Sequence, residues 1–190
     1  MDSDPQLDAR TDEELMLLAG ASDSRAFEVL VRRHLPRLSR YCAKSVGHAA
    51  EGEELAQEVL VRVWDARRDY RPRAPFTVFL FTIARNLCRN RARDAGRRLR
   101  WESSDSNMPE STQGSASHMD VLLEREAHRH VRQAVLELPE KFREVLLLRF
   151  DQGLEYPEIA RIVGSPEATV RSRVFHALKK VRGTLAGAAS

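Results

Sequence analysis

The chain has 190 residues, 42% of them hydrophobic and 31% charged, with a net charge of +3, a length that suits one large domain or two small ones. No apolar run approaches the roughly 18 residues of a membrane span, and the acidic, polar opening "MDSDPQLDARTDEEL" is not a signal peptide, so membrane insertion is excluded and a cytoplasmic location expected. The small net charge hides four blocks: roughly −5 over residues 1–60, about +9 over 61–100, about −6 over 101–160 and about +5 over 161–190.

Strand-like alternation is absent, which predicts an all-α fold. The first two helical patterns run over 12–20 and 24–46, with Asp12 and Ser24 as N-caps. Pro36 lies inside the second and is expected to kink or split it. In a third helix over 50–68, Leu55, Val59 and Val63 form one row and Ala56, Leu60 and Trp64 the next, together a core stripe. Glu54, Gln57, Glu58 and Arg62 fall on the opposite side. Spacing alone leaves that face either plain solvent-facing surface, the simpler reading, or a docking face.

The fourth pattern, "PFTVFLFTIARNLCRNRARDAGRR", predicts a helix over 76–96. Phe76, Phe79, Leu80, Ile83, Ala84 and Leu87 recur with helical period and face a core. Phe81, Arg85, Arg89 and Arg93 lie four apart on another face, with Asn86 and Asn90 alongside. Arginines that take phosphates, interleaved with groups that stack on or bond to bases, suit single-stranded nucleic acid. The competing reading is a solvated face with Phe81 in a side pocket. The preceding "RRDYRPRAPF", with Tyr70 and Arg71, is a loop rich in Arg and Pro, able to enclose something small.

Residues 101–120, "WESSDSNMPESTQGSASHMD", hold almost no large apolar side chains and cannot bury enough surface to order themselves. A flexible linker is therefore expected over 101–118, joining helical domains over 1–100 and 119–190. In the second domain a helix near 119–137 precedes "LPEKFREVLLLRFDQG", where Pro139 suits a first helical turn and Gly153 a C-terminal cap. A short helix with Ile159, Ile162 and Val163 ends at Gly164; Ser165 caps the next helix, with Pro166 first in it and Glu167 complementing its dipole. Val170, Val174, Leu178 and Val181 make the buried stripe of that last helix. Short helix, glycine turn, second helix with a basic face: the pattern is a helix-turn-helix. Thr169, Arg171, Ser172, Phe175 and His176 are then poised for base edges in a major groove, and Arg173, Lys179 and Lys180 for phosphates.

With these pieces in order, the chain resembles the extracytoplasmic-function (ECF) group of bacterial sigma-70 family sigma factors. "DEELMLLAGASDSRAFEVLVRRHLPRLSRYC", "EGEELAQEVLVRVWDA" and "PFTVFLFTIARNLCRNRAR" are similar to their region 2, and "LPEKFREVLLLRFDQGLEYPEIARIVGSPEATVRSRVFHALKKVR" to their region 4. Departures are modest: Phe79 stands where Trp is frequent, Ala168 where Gly is usual, and His176 where a longer basic residue is common. The resemblance implies that Glu54, Gln57, Glu58 and Arg62 dock on the β′ clamp helices of core RNA polymerase. It implies that Tyr70, Arg71, Phe81, Arg85, Asn86, Arg89 and Arg93 recognise and melt the −10 element as single strand, a base flipping into the loop over 69–76. Thr169, Arg171, Ser172, Arg173, Phe175, His176 and Lys179 would read the −35 element as duplex. Core polymerase, through the β′ clamp helices and the β flap, promoter DNA and an anti-sigma factor are the implied partners.

No enzyme is expected. The six histidines are scattered, and His118, His128 and His130 lack a fixed set of neighbouring ligands, so no metal or cofactor is assigned. No glycine-rich phosphate loop or nucleophile motif is present. Cys42 and Cys88, without a CxxC partner, read as buried free thiols of a reducing cytosol. Two other classes compete. A stand-alone helix-turn-helix regulator would bind duplex DNA by itself, and a helical adaptor would leave both basic blocks unexplained.

Overall fold

The computed structural model describes residues 4–101 and 129–188, and all regular structure among them is helical. The first half contains α1 (Pro5–Asp8), α2 (Asp12–Gly20), α3 (Ser24–Val46), α4 (Ala49–Asp65), a 3-10 turn (Ala66–Arg68) and α5 (Phe76–Trp101). The second contains α6 (residues 129–136), α7 (Glu140–Leu146), a π-helical turn (Leu147–Asp151), α8 (Tyr156–Val163) and α9 (Glu167–Ala188). Of the expected linker, Trp101 ends α5 instead; the rest of it, and the start of the helix expected near 119–137, lie outside the described residues.

Helix starts fall one residue from where composition placed the caps. Thr11, not Asp12, caps α2, its hydroxyl accepting from Glu14 N while the Glu14 carboxylate accepts from Thr11 N. Asp23, not Ser24, caps α3 by accepting from Arg25 N. Asp12 is thereby free to face α3, where it pairs with Arg33 and His34. Before α9 it is Pro166, not Ser165, whose carbonyl takes the first helical bond, from Val170 N at 3.1 Å. Pro139 likewise stands just before α7.

Pro36 does not split α3, which is helical from Ser24 to Val46. Pro36 is exposed, so the backbone bond it removes lies on the wet side. Val29, Leu30, Leu38, Tyr41 and Cys42 are buried on both sides of it and hold the two segments to the same core. Against α3 lies α4, whose predicted stripe is buried at Leu55, Ala56, Val59 and Val63. The two axes come very close at Gly52: a Cβ there would lie 2.4 Å from the backbone of Ala43. Only a residue without a side chain fits this crossing. The last predicted turn of the third helix is 3-10 rather than α, and α5 continues beyond the expected end at 96 to Trp101.

The start of α5 has a cap from a distance: Glu13 of α2 accepts from Phe76 N at 2.6 Å. In α5 itself the core face is wider than the sequence pattern. Phe81, read as off-core, has no exposed surface, and Cys88 is buried beside Leu87. Phe81 packs edge-on to Tyr41 at 5.2 Å, with the Arg37 guanidinium 5.4 Å from its ring centre. The apolar cluster that includes Phe81 and Tyr41 runs on without a break into Leu147, Leu148, Ile159, Val170 and Val174 of the second half. This shared core explains the broadened face. Cys42 and Cys88 are both free and buried within it, and a hydrogen bond between the two thiols together with burial pushes the Cys42 thiol well up.

In the second half α8 and α9 meet through Gly164, which has φ +63, the left-handed conformation that ends α8 and turns the chain. Ile159, Ile162 and Val163 of α8 and Val170 and Val174 of α9 are buried between them, and Ala177 closes the stripe on the α6 and α7 side, with Leu138 and Leu146.

Candidate nucleic-acid interface

The turn at Gly164 fixes where α9 points its polar face. Arg171, Ser172, Phe175, His176 and Lys179 are exposed, while Thr169 and Arg173 are half-buried where α9 leans on α7. Lys141 and Phe142 of α7 line a groove with Thr169, Ser172, Arg173 and His176. Phe175 leaves 65% of its surface in solvent on an otherwise polar face. That position costs apolar exposure without returning packing, as expected of a side chain that meets a partner. Arg171 does not float. Its guanidinium pairs with Glu167 at 2.6 Å and lies 4.3 Å from the centre of the Tyr156 ring. Arg149 covers the same ring at 5.0 Å. Arg171 thus ties the start of α9 to α8 and Arg149 ties the π-helical turn to the same ring, cation–π contacts that spacing on α9 alone does not reveal.

The first-half candidates are distributed differently from the sequence reading. Asn86, Arg93 and Arg71 are exposed. Tyr70 is not: it is 4% exposed, with its ring against Phe76 and Phe79 at 6.2 and 5.2 Å. Burial, with the charges of Glu13 and Asp12 nearby, pushes its phenol up to about 12. Tyr70 therefore anchors the loop from inside and keeps its proton. The exposed stripe expected through Phe81 and Arg85 is corrected as well. Phe81 is core, and the Arg85 side chain is 11% exposed, closed off by Glu144 of α7 with Nε–Oε2 at 2.6 Å. Arg89 is paired with Glu140 at 2.7 Å. Sequence periodicity sees only one helix at a time, so it could not show that α7 lies over this face.

The contact between the halves is systematic. Arg37 donates to the side chain and carbonyl of Gln152 at 3.1 and 2.8 Å, and Lys44 and Arg40 pair with Asp151. Arg143 donates to Ser45 O at 2.8 Å. Cations of α3 and α5 thus meet the acidic side of α7 and the π-helical turn. Three arginines and two glutamates, Arg85, Arg89, Arg143, Glu140 and Glu144, line a cavity of about 60 Å³ in the seam.

On α4 the four predicted docking residues sit together: Glu54, Gln57 and Arg62 are exposed and Glu58 half-buried, with Arg62 bonded to Glu58 at 2.7 Å. Val61, 58% exposed between them, was missed. It is the one apolar member of the face, and a count of polar residues passes over it. No helix among the described residues is long and apolar enough to cross a membrane.

Comparison with known proteins covers nearly the whole chain. Residues 30–98 match the family model for Sigma-70 region 2 and residues 128–181 that for Sigma-70, region 4. The RNA polymerase sigma-H factor of Pseudomonas aeruginosa is 30% identical over 176 residues, 90% of this chain and 91% of that one. The ECF RNA polymerase sigma-E factor of Escherichia coli is 28% identical over 177 residues, 90% and 92% of the two chains. Among solved structures, CnrH in complex with the cytosolic domain of CnrY superimposes with a TM-score of 0.70 at 26% identity, over 94% of this chain and 99% of that one. The sigma factor RpoE of Bartonella quintana, in complex with the anti-sigma factor NepR, shares the fold with a TM-score of 0.68 at 22% identity, over 84% and 96%. A stand-alone helix-turn-helix regulator would account for α8 and α9 and leave the first half without a counterpart. Both halves match, in one order and over one length, and the chain accordingly belongs to the ECF group of the sigma-70 family of RNA polymerase sigma factors.

Proposed function

We propose that the two halves divide promoter recognition between them, each through the residues exposed above, while α4 holds core RNA polymerase. The row Arg171, Ser172, Phe175, His176 and Lys179 on a helix started by the Gly164 turn carries this reading. An exposed row at the N-terminal half of such a helix fits a major groove, where Arg171 bonds a base edge and Arg173 and Lys179 take phosphates. In the first half Arg71, Asn86 and Arg93 meet the single strand, joined by Arg85 and Arg89 once α7 is clear of them. Tyr70 and Phe81 shape that surface from inside. Glu54, Gln57, Glu58 and Arg62, with Val61 among them, form the docking face for the β′ clamp helices. The partners of this reading are core polymerase, also through the β flap, promoter DNA and an anti-sigma factor. Its place is the cytoplasm, and its activity is initiation, not catalysis of its own.

Run-off transcription with core polymerase on genomic fragments identifies a promoter; two variants then test the division. Arg171→Ala should weaken binding to a matched −35 site by about 1–3 kcal/mol and relax specificity at one base position. Arg89→Ala should leave the closed promoter complex nearly intact and slow opening. A template already melted at −10 should rescue the second variant and not the first. Equal rescue of both, or of neither, would refute the division.

A further inference from the structure

The loop over residues 69–75, which carries Arg71, hangs between two fixed points, and α2 supplies both. At the entry, Gly20 closes α2 against the 3-10 turn Ala66–Arg68: a Cβ on Gly20 would stand 2.6 Å from the Arg67 carbonyl oxygen. Any side chain there would push on backbone that has no free end to give. At the exit, the Glu13 carboxylate in the first turn of α2 accepts from Phe76 N at 2.6 Å, where its charge also complements the dipole of α5. Glu13 and Gly20 lie about 10 Å apart along the α2 axis. Stretched out, a chain of the loop's length would reach about 25 Å, so the loop does not set its own span. Little in α2 can yield. Leu15, Met16 and Ala19 are 0% exposed, and Asp12 ties the helix to Arg33 and His34 of α3. The ring of His34 in turn packs on Phe76 at 5.3 Å. Between the fixed points Asp69, Arg71, Pro72, Arg73 and Pro75 are left outward. Arg71 takes its place from this frame, because its Nη1 donates to the carbonyls of Arg68 and Tyr70 at 3.2 and 2.9 Å.

We infer that α2 is a splint for this loop: Gly20 fixes where the chain leaves the turn, Glu13 fixes where it enters α5, and Glu13 is a positioning residue for base choice that acts through the backbone of Phe76. The inference rests on the proposed meeting of the loop with the single strand. Its consequence is a split between two properties. Attraction of an arginine for phosphate falls slowly with distance, so it tolerates drift of the loop ends. Choice among bases depends on hydrogen bonds that weaken steeply with angle, and needs its groups held within about 0.5 Å. Loss of the Glu13 bond should therefore cost discrimination before it costs affinity.

The test uses the full chain assembled with core polymerase, and fluorescent single-stranded oligonucleotides carrying the −10 sequence of an identified promoter, matched or changed at one base at a time. Glu13→Ala removes the acceptor, and Glu13→Gln keeps an oxygen for Phe76 N. Glu13→Ala should lower the preference for matched over mismatched oligonucleotide about tenfold at the base the loop reads. Binding of a −35 duplex should stay unchanged, and hydrogen exchange at the Phe76 amide should quicken. Glu13→Gln should restore most of the preference and the slow exchange. Gly20→Ala pushes on the entry with Glu13 intact, and should lower the preference at the same base. If Glu13→Ala fails to fold, Glu13→Asp, which keeps the charge on a side chain one methylene shorter, carries the test with the same expected loss. Unchanged preference in the Glu13 or the Gly20 variant overturns the inference. So does a loss shared equally by matched and mismatched strands, or by strand and −35 duplex, because lost folding alone would produce it. A glutamine variant no better than the alanine one also overturns it, since the bond to Phe76 N would then not be what holds the loop. The two readings fail separately. If Arg71→Ala leaves binding of the matched oligonucleotide intact, the loop does not meet the strand, and the inference falls with that reading. If Arg71→Ala weakens binding but Glu13→Ala leaves the choice of base untouched, only the splint is wrong.

Discussion

Asp12 shows how one carboxylate can be worth more than its position suggests. Read as a cap, it instead joins α2 to α3, with Oδ1 2.7 Å from Arg33 Nη1 and Oδ2 2.7 Å from His34 Nε2. Burial alone would raise its pKa, but hydrogen bonds from His34 and Arg33 outweigh burial and hold it below the ordinary carboxylate value. A carboxyl whose folded pKa is depressed adds stability that is complete above its unfolded value, about 3.9, and is lost as pH falls through the folded value. Asp12→Asn should therefore cost about 2 kcal/mol at pH 7, the scale of hydrogen bonds to a charged group. Thermal melts should show the gap between variant and parent closing below about pH 4. A gap independent of pH would mean that packing, not charge, was lost.

Among the elements, the α3–α4 pair is the tightest joint, and Gly52 is its pivot. Gly52→Ala would drive a methyl group into the Ala43 backbone, where no flexible side chain can give way. The expected cost is about 1–3 kcal/mol, as for overpacked cores. Urea denaturation measures it, and a neutral result would show that the two helices can slide apart. The sequence made α3 and α4 legible because each buries one face with helical period, and the same holds for α8, Gly164 and α9. What it did not show follows from the same logic. Phe81, Arg85 and Arg89 look like a second exposed face of α5 only while α5 is considered by itself; in the folded chain Phe81 is core, and Glu144 and Glu140 of the second half pair with Arg85 and Arg89. Tyr70 was misplaced for a related reason: a tyrosine in a loop of Arg and Pro reads as exposed until Phe76 and Phe79 are seen to close over it. The exposed row on α9 was legible because its side chains stay open to solvent even where Arg171 rests on Tyr156 and His176 borders Phe142.

For the whole molecule, the alternation of charge along the sequence gains a spatial meaning. Arg85 and Arg89 of α5 and Arg40 and Lys44 of α3 find counter-charges in the acidic stretch around α7, and the basic end of α9 is left outward. Glu144, set between Arg85 and Arg173, ties the two candidate DNA surfaces to one carboxylate. Two binding sites that both require the same contact to break are thermodynamically linked, and linkage is reciprocal. The −10 strand should tighten the hold of the free chain on a −35 duplex by the same factor as the duplex tightens its hold on the strand. Titrating each DNA in the presence and absence of the other measures the two factors, and unequal values, or values of one, would remove Glu144 from this role. A promoter would then be sensed as a pair: a lone matching half, anywhere on a chromosome, meets a protein still folded shut against it, whereas two halves at the right spacing each lower the threshold for the other.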